Sequence, residues 1–134
     1  MTILDADVWI AYLNTEDSQH AKAVKVFDEL EAREEIVAVP EYVVLEVVTV
    51  VRRVAGATIA TAFMQVVAEN TFVQILPSDS ALLRSVCFAV YHAQVPKLSF
   101  TDIALLRLAE KHRVITFDRV LARAIAHPVP EVFV

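Results

Sequence analysis

Short apolar runs alternate with segments of helical periodicity along this chain, and that alternation constrains its fold more than any other feature. The runs are Thr2–Asp5 (TILD), Glu35–Pro40 (EIVAVP), Phe72–Leu76 and Val114–Thr116. They lack strict polar–apolar alternation, as strands buried on both faces do. The intervening segments read as helices. Val8–Leu13 is short and mostly apolar. After the polar break Asn14–Ser18, Ser18 is placed to cap a second helix, in which Ala21, Val24, Phe27 and Leu30 recur at helical spacing while His20, Lys22, Lys25 and Glu29 face water. Pro40 closes the second strand and opens a third helix, Glu41 to Ala55, with Gly56 as its C-cap. Thr58–Glu69, Ser80–Ala93, Phe100–His112 and a last helix led by Asp118 follow, and Val132–Val134 is a candidate edge strand. Strands joined through helices indicate a parallel sheet covered on both faces. The expected fold class is therefore α/β, a three-layer α/β/α arrangement around a mostly parallel sheet of four to five strands, with residues 1–134 forming a single domain.

Composition narrows the function classes. The chain is 57% hydrophobic with one Gly and five Pro, which leaves little room for linkers. Its mean hydropathy of +0.53 suggests apolar surface hidden in a dimer or against a partner. A net charge of −5 argues against gripping nucleic acid by a broad basic face, although acids clustered to hold cations contribute to that balance. The lone Cys87 excludes an internal disulfide and, in its apolar setting, reads as a small core residue. Asp5 and Asp7 interrupt the first apolar segment, so it is not a signal peptide, and Val43–Val51 is too short to span a bilayer. A cytoplasmic protein with no membrane association is expected. No glycine-rich phosphate loop and no G-x-S-x-G elbow occur, and His20, His92, His112 and His127 lack metal-ligand spacing. Thr61, Phe63, Met64 and Val67 read as core and interface.

Chemistry concentrates in four acids. Leu98–Asp118 reads as loop, helix, strand and loop, with Asp102 where the helix begins and Asp118 just past the strand. Ligands of open α/β sheets bind at the carboxyl ends of strands, so both acids are placed at a rim. Each also has a purely structural explanation: Ser99-x-x-Asp102 is a capping box and Asp118 an N-cap. Asp5 ends the first strand and forms a D-x-D with Asp7. Glu46 lies within an apolar helix with no base one turn away, and a buried carboxylate there would need a cation or an incoming partner. Thr116 can hold a carboxylate or a water by its hydroxyl. Converging carboxylates repel, and a hard cation such as Mg²⁺ or Mn²⁺ relieves the repulsion with oxygen ligands.

Three blocks, ILDADVWIAYL, PEYVVLEVVTVVRR and LSFTDIALLRLAEKHRVITFDRVLARA, together resemble the PIN domain. The chain is particularly similar to the VapC-type ribonuclease toxins of prokaryotic toxin–antitoxin pairs. Position by position, the family's acidic quartet falls on Asp5, Glu46, Asp102 and Asp118, and its small hydroxyl residue on Thr116. Asp7 departs from the pattern, since relatives usually carry Ser, Thr or Asn there, and an extra acid can bind a second cation or weaken the site. The resemblance implies a Mg²⁺- or Mn²⁺-dependent endoribonuclease in which metal-activated water attacks phosphorus, leaving a 5′ phosphate and a 3′ hydroxyl. Asp5, Asp102 and Glu46 would be primary ligands, with Asp118 acting through waters or on a second metal. It further implies a homodimer and a cognate VapB-like antitoxin, whose arginine would meet the carboxylates. Lys97, Arg119 and Arg123 flank the rim, as phosphate contacts or as solvated charges. Two alternatives stand beside this one: a non-catalytic PIN-like module that binds RNA or a partner, and a haloacid-dehalogenase-like phosphatase using the D-x-D, which lacks that family's later paired acids and lysine.

Overall fold

A computed structural model describes residues 1–93 and 98–127, and the expected strand at Val132–Val134 lies outside the described residues. The elements run β1 (Thr2–Leu4), α1 (Ala6–Leu13), α2 (His20–Ala32), β2 (Val37–Pro40), α3 (Glu41–Ala55), α4 (Ala57–Glu69), β3 (Val73–Leu76), α5 (Ser80–Ala93), α6 (Phe100–Leu108), β4 (Arg113–Ile115) and α7 (Arg119–Ala126). The four strands form one parallel sheet in the order β3-β2-β1-β4. β1 is central because its three residues are apolar or small on both faces: Ile3 sits between Ala38 and Val114, and none of Thr2, Ile3 and Leu4 reaches solvent appreciably.

Connections from β1 step outward through β2 to β3, and the chain then returns across the sheet to β4. The right-handed rule for parallel crossovers assigns α1–α4 to one face of the sheet and α5 and α6 to the other, in keeping with the packing of α3 on α1 and α4 and of α5 on α6. The direction reverses between β1 and β4, so the carboxyl ends of those two strands flank the crevice where open α/β sheets bind ligands.

Packing follows the helical periods. α3 buries Val43, Val47 and Val51 at four-residue intervals, and α6 buries four consecutive residues, Ile103 to Leu106. Trp9 joins α1 to α2 and α4 through edge-on contacts with Phe27 and Phe63, at centroid distances of 4.9 and 5.2 Å.

Several local expectations fail for identifiable reasons. Ser18 caps nothing: Gln19 precedes α2, Asp17 accepts its N–H at 2.8 Å, and His20 bonds the Ala11 carbonyl at 2.8 Å instead of facing water. Cys87 is exposed, because the α5 register turns its neighbour Val86 into the core. β3 is not buried on both faces, since it forms an edge of the sheet with Gln74 and Ile75 exposed. α6 ends at Leu108, and a turn through His112 precedes β4. Gly56 serves two helices, closing α3 and opening α4, with φ of 97°, a value that L side chains rarely adopt.

Candidate active site

The carboxyl edge of the sheet is organised by Asp5. Its backbone N–H donates to the Ile115 carbonyl at 2.9 Å, which fixes the end of β1 against β4. Its side chain is 7% exposed and caps α1, with Oδ1 accepting the Ala6 N–H at 2.7 Å. Oδ2 accepts the Thr116 hydroxyl at 2.8 Å. Thr116 Oγ1 in turn accepts the Asp118 N–H at 3.1 Å, so one hydroxyl ties the first acid of the chain to the loop carrying the last.

Asp7 completes this clasp. Its two carboxyl oxygens accept the Phe117 N–H at 3.2 and 3.1 Å, and Oδ2 lies 3.3 Å from Thr116 Oγ1. Asp118 caps α7 by accepting the Leu121 N–H at 2.9 Å. Asp102 sits in the first turn of α6 within a complete capping box, its Oδ2 accepting the Ser99 N–H at 3.0 Å while Ser99 Oγ accepts its own N–H at 3.1 Å. Asp5, Asp102 and Asp118 therefore each stand at a helix N-terminus, where the unsatisfied N–H groups and the helix dipole favour negative charge.

Glu46 projects from the middle of α3. The sequence suggested a buried carboxylate, whereas Glu46 is exposed as a residue: the buried stripe of α3 runs through Val43, Val47 and Val51, and Glu46 lies to one side of it. Its carboxyl is nonetheless partly desolvated. That burial, followed by the charges of Asp5 and Asp102, pushes its pKa up.

These shifts place the acids in one electrostatic group. Burial raises the pKa of Asp5 first, the bonds from Thr116 and Ala6 oppose it, and the charges of Asp102 and Asp118 raise it further. Asp7 is pushed up to about 6, by burial and then by Asp5. Among the described residues the ion pairs are Met1–Glu35 and Arg107–Glu110, and neither involves these acids. Five carboxylates thus share one edge with no base paired to them among the described residues. The donor set, all hard oxygen, fits a divalent cation such as Mg²⁺ or Mn²⁺ in its chemistry. Among the described residues no three of these side chains converge into a set of ion ligands.

Two residues near this edge escaped the sequence reading. Lys22 is exposed as expected, but it also sets its ammonium 4.6 Å from the centroid of Phe117, the residue between Thr116 and Asp118. Tyr42 lies one turn before Glu46, and its phenol senses the Asp5 charge. The i, i+4 spacing to Glu46 was the available signal for Tyr42; nothing local marks Lys22. Arg119 and Arg123 are exposed on α7, and Lys97 lies outside the described residues.

A family model described as the PIN domain matches residues 2–126 of this chain. No curated protein matches it. Among solved structures, the crystal structure of Mycobacterium tuberculosis VapC20, described as a sarcin–ricin loop cleaving toxin, aligns with a TM-score of 0.76 over 92% of this chain and 95% of that one. The two sequences are 22% identical, so the likeness speaks for a shared fold.

Proposed function

Because this chain belongs to the PIN domain family, we propose that it is a metal-dependent endoribonuclease, the VapC-type toxin of a toxin–antitoxin pair. What supports this reading is that Asp5 and Glu46 feel the charges of acids from other parts of the chain, Asp102 and Asp118 at Asp5, and Asp5 and Asp102 at Glu46, with no ion pair to any of the four among the described residues. Structural capping alone would explain Asp5, Asp102 and Asp118 singly. It does not explain why three capping acids and a helix glutamate share a field that raises the pKa of two of them.

Asp5, Glu46, Asp102 and Asp118 would hold Mg²⁺ or Mn²⁺. The cation supplies positive charge and Lewis acidity to an RNA phosphodiester. Thr116 orients Asp5 by donating to Oδ2, and Asp7 holds the loop after β4 through the Phe117 N–H. The N-termini of α1, α6 and α7 offset part of the mutual repulsion of the carboxylates. Of the described cations, Lys22, Arg119 and Arg123 would steer a phosphate backbone. A homodimer and an antitoxin segment would cover apolar surface such as Leu45, Met64 and Phe72, all more than half exposed. No helix among the described residues is long and apolar enough to cross a membrane, and a cytoplasmic site of action fits an RNA substrate.

The test is cleavage of end-labelled structured RNAs, including a sarcin–ricin loop hairpin, by the purified protein with Mg²⁺ or Mn²⁺ against EDTA. Wild type cuts only with metal, and Asp102→Asn does not cut. Equal cutting by both proteins would refute the assignment. Metal binding without cutting on a broad panel would favour the non-catalytic binding module.

A further inference from the structure

A groove of about 550 Å³ opens where α2 ends and β2 and β3 begin. Val37 and Val73, the first residues of those strands, line it, so it lies at the amino ends of the strands, away from the acidic edge. Tyr12, Phe27 and Phe72 supply aromatic walls, with the Tyr12 and Phe27 rings 4.0 Å apart. Phe72 is 52% exposed, an unfavourable setting for a large apolar side chain. Val73 and Ile75 lie on the same face of the edge strand β3, and Ile75 is 45% exposed, so the apolar strip runs on past the groove.

Asp28, Glu31, Glu34 and Glu35 complete the charged lining, and no Lys, Arg or His is among its residues. Thr2 and the amino group of Met1 engage Glu35, but the other three carboxylates are exposed and join no ion pair among the described residues. Their placement works against local stability. Carbonyls at a helix C-terminus favour cations, yet the last turn of α2 has no basic residue. Glu34 follows the α2 C-cap in a turn where its N–H donates to the Glu31 carbonyl and the Glu35 N–H to that of Leu30, both at 3.0 Å. Glycine is preferred at that position, but Glu34 holds it at a φ of 52°, the one positive φ outside glycine among the described residues. Glycine would serve the turn better, whereas a carboxylate here serves an incoming cation.

We propose that this groove docks a basic amphipathic segment of a partner protein, with apolar side chains on Phe27 and Phe72 and Lys or Arg side chains meeting Asp28, Glu31 and Glu34. Charge selects that occupant: RNA, and a second copy of this chain with its net charge of −5, would each bring negative charge to a negative rim. The aromatic walls suit an arginine as well, since its guanidinium stacks on rings. The inference stands apart from the nuclease reading, because none of these residues belongs to the acidic edge.

The test starts from random peptides displayed on phage and selected on the immobilised wild-type protein in EDTA. Retained sequences, made as fluorescein-labelled peptides, are titrated by fluorescence anisotropy. They should combine Lys or Arg with Leu, Phe or Trp, and should bind Glu31→Gln/Glu34→Gln and Phe72→Ser about tenfold more weakly than wild type. The three substituted side chains are exposed, so both variants keep the fold, which circular dichroism checks. Glu41→Gln/Glu110→Gln removes the same charge outside the groove and should bind like wild type. An equal loss in that control means attraction to net charge alone and overturns the inference. So does a selection that yields no binder, or binders without basic residues. Binding that both groove variants retain in full places the peptides elsewhere and sinks the proposal too. A wild-type homodimer that Phe72→Ser turns into a monomer would put a second copy in the groove, against the basic occupant.

Discussion

Replacing Asp7 with Asn should stabilise the metal-free protein above pH 6 and change little near pH 4. Burial and the charge of Asp5 move the Asp7 pKa from an ordinary value of 3.8 to about 6. The folded state thus binds this proton more tightly than the unfolded state does. The sign follows: the group carries no penalty when protonated in both states, and the penalty grows as pH rises from about 4 and is complete above about 6. At 1.36 kcal/mol per pH unit the ceiling is about 3 kcal/mol. The side chain is only partly buried, so solvent screening reduces the expected gain to about 1–2 kcal/mol. Asparagine suits the position: its Oδ1 can accept the Phe117 N–H, and its Nδ2 can donate to Thr116 Oγ1, which lies 3.3 Å from Asp7 Oδ2. Urea unfolding of both proteins in EDTA at pH 8, 6.5, 5 and 4.5 measures the difference. A gap that does not shrink as pH falls, or an Asn variant less stable at pH 8, would refute the account of Asp7 as a desolvated and repelled acid.

Thr116→Ala removes the donor to Asp5 and the acceptor for Asp118, and should cost about 1–2 kcal/mol, with Thr116→Ser recovering most of it in thermal melts. Gly56→Ala meets no atom within 4 Å but must adopt a φ of 97°; a loss of about 1 kcal/mol by chemical denaturation is expected from backbone strain alone. Leu105→Ala opens a cavity in a fully buried turn of α6 and should cost about 2–5 kcal/mol, read as a large drop in the urea midpoint.

Asp5, Asp102 and Asp118 were legible in the sequence because their signals are local: an acid at a strand end, a Ser-x-x-Asp box and an N-cap all sit within a few residues of the side chain they explain. Helix α3 was legible for the same reason, through its length, its proline and its glycine. The setting of Glu46 was not. Apolar neighbours suggested burial, yet Leu45 is 69% exposed, so apolar character along α3 does not report which side faces the core. The start of α2 was misread because a tertiary bond from His20 to Ala11 sets that turn, and hydroxyl propensity at Ser18 carries no information about it. Lys22 and Phe117 meet across ninety-odd residues, and no spacing rule reaches that far.

The bond between Thr116 and Asp5 spans 111 positions of sequence. It gives the molecule a timetable. β1 can pair with β2 early in synthesis, but its other neighbour, β4, and the loop that completes the acidic edge are made last. A nascent chain can fold most of its helices and still lack Asp118 and the hydroxyl that orients Asp5. The acidic edge is therefore complete only once residue 118 has been added and has folded back onto β1, which makes it one of the last features of the fold to form.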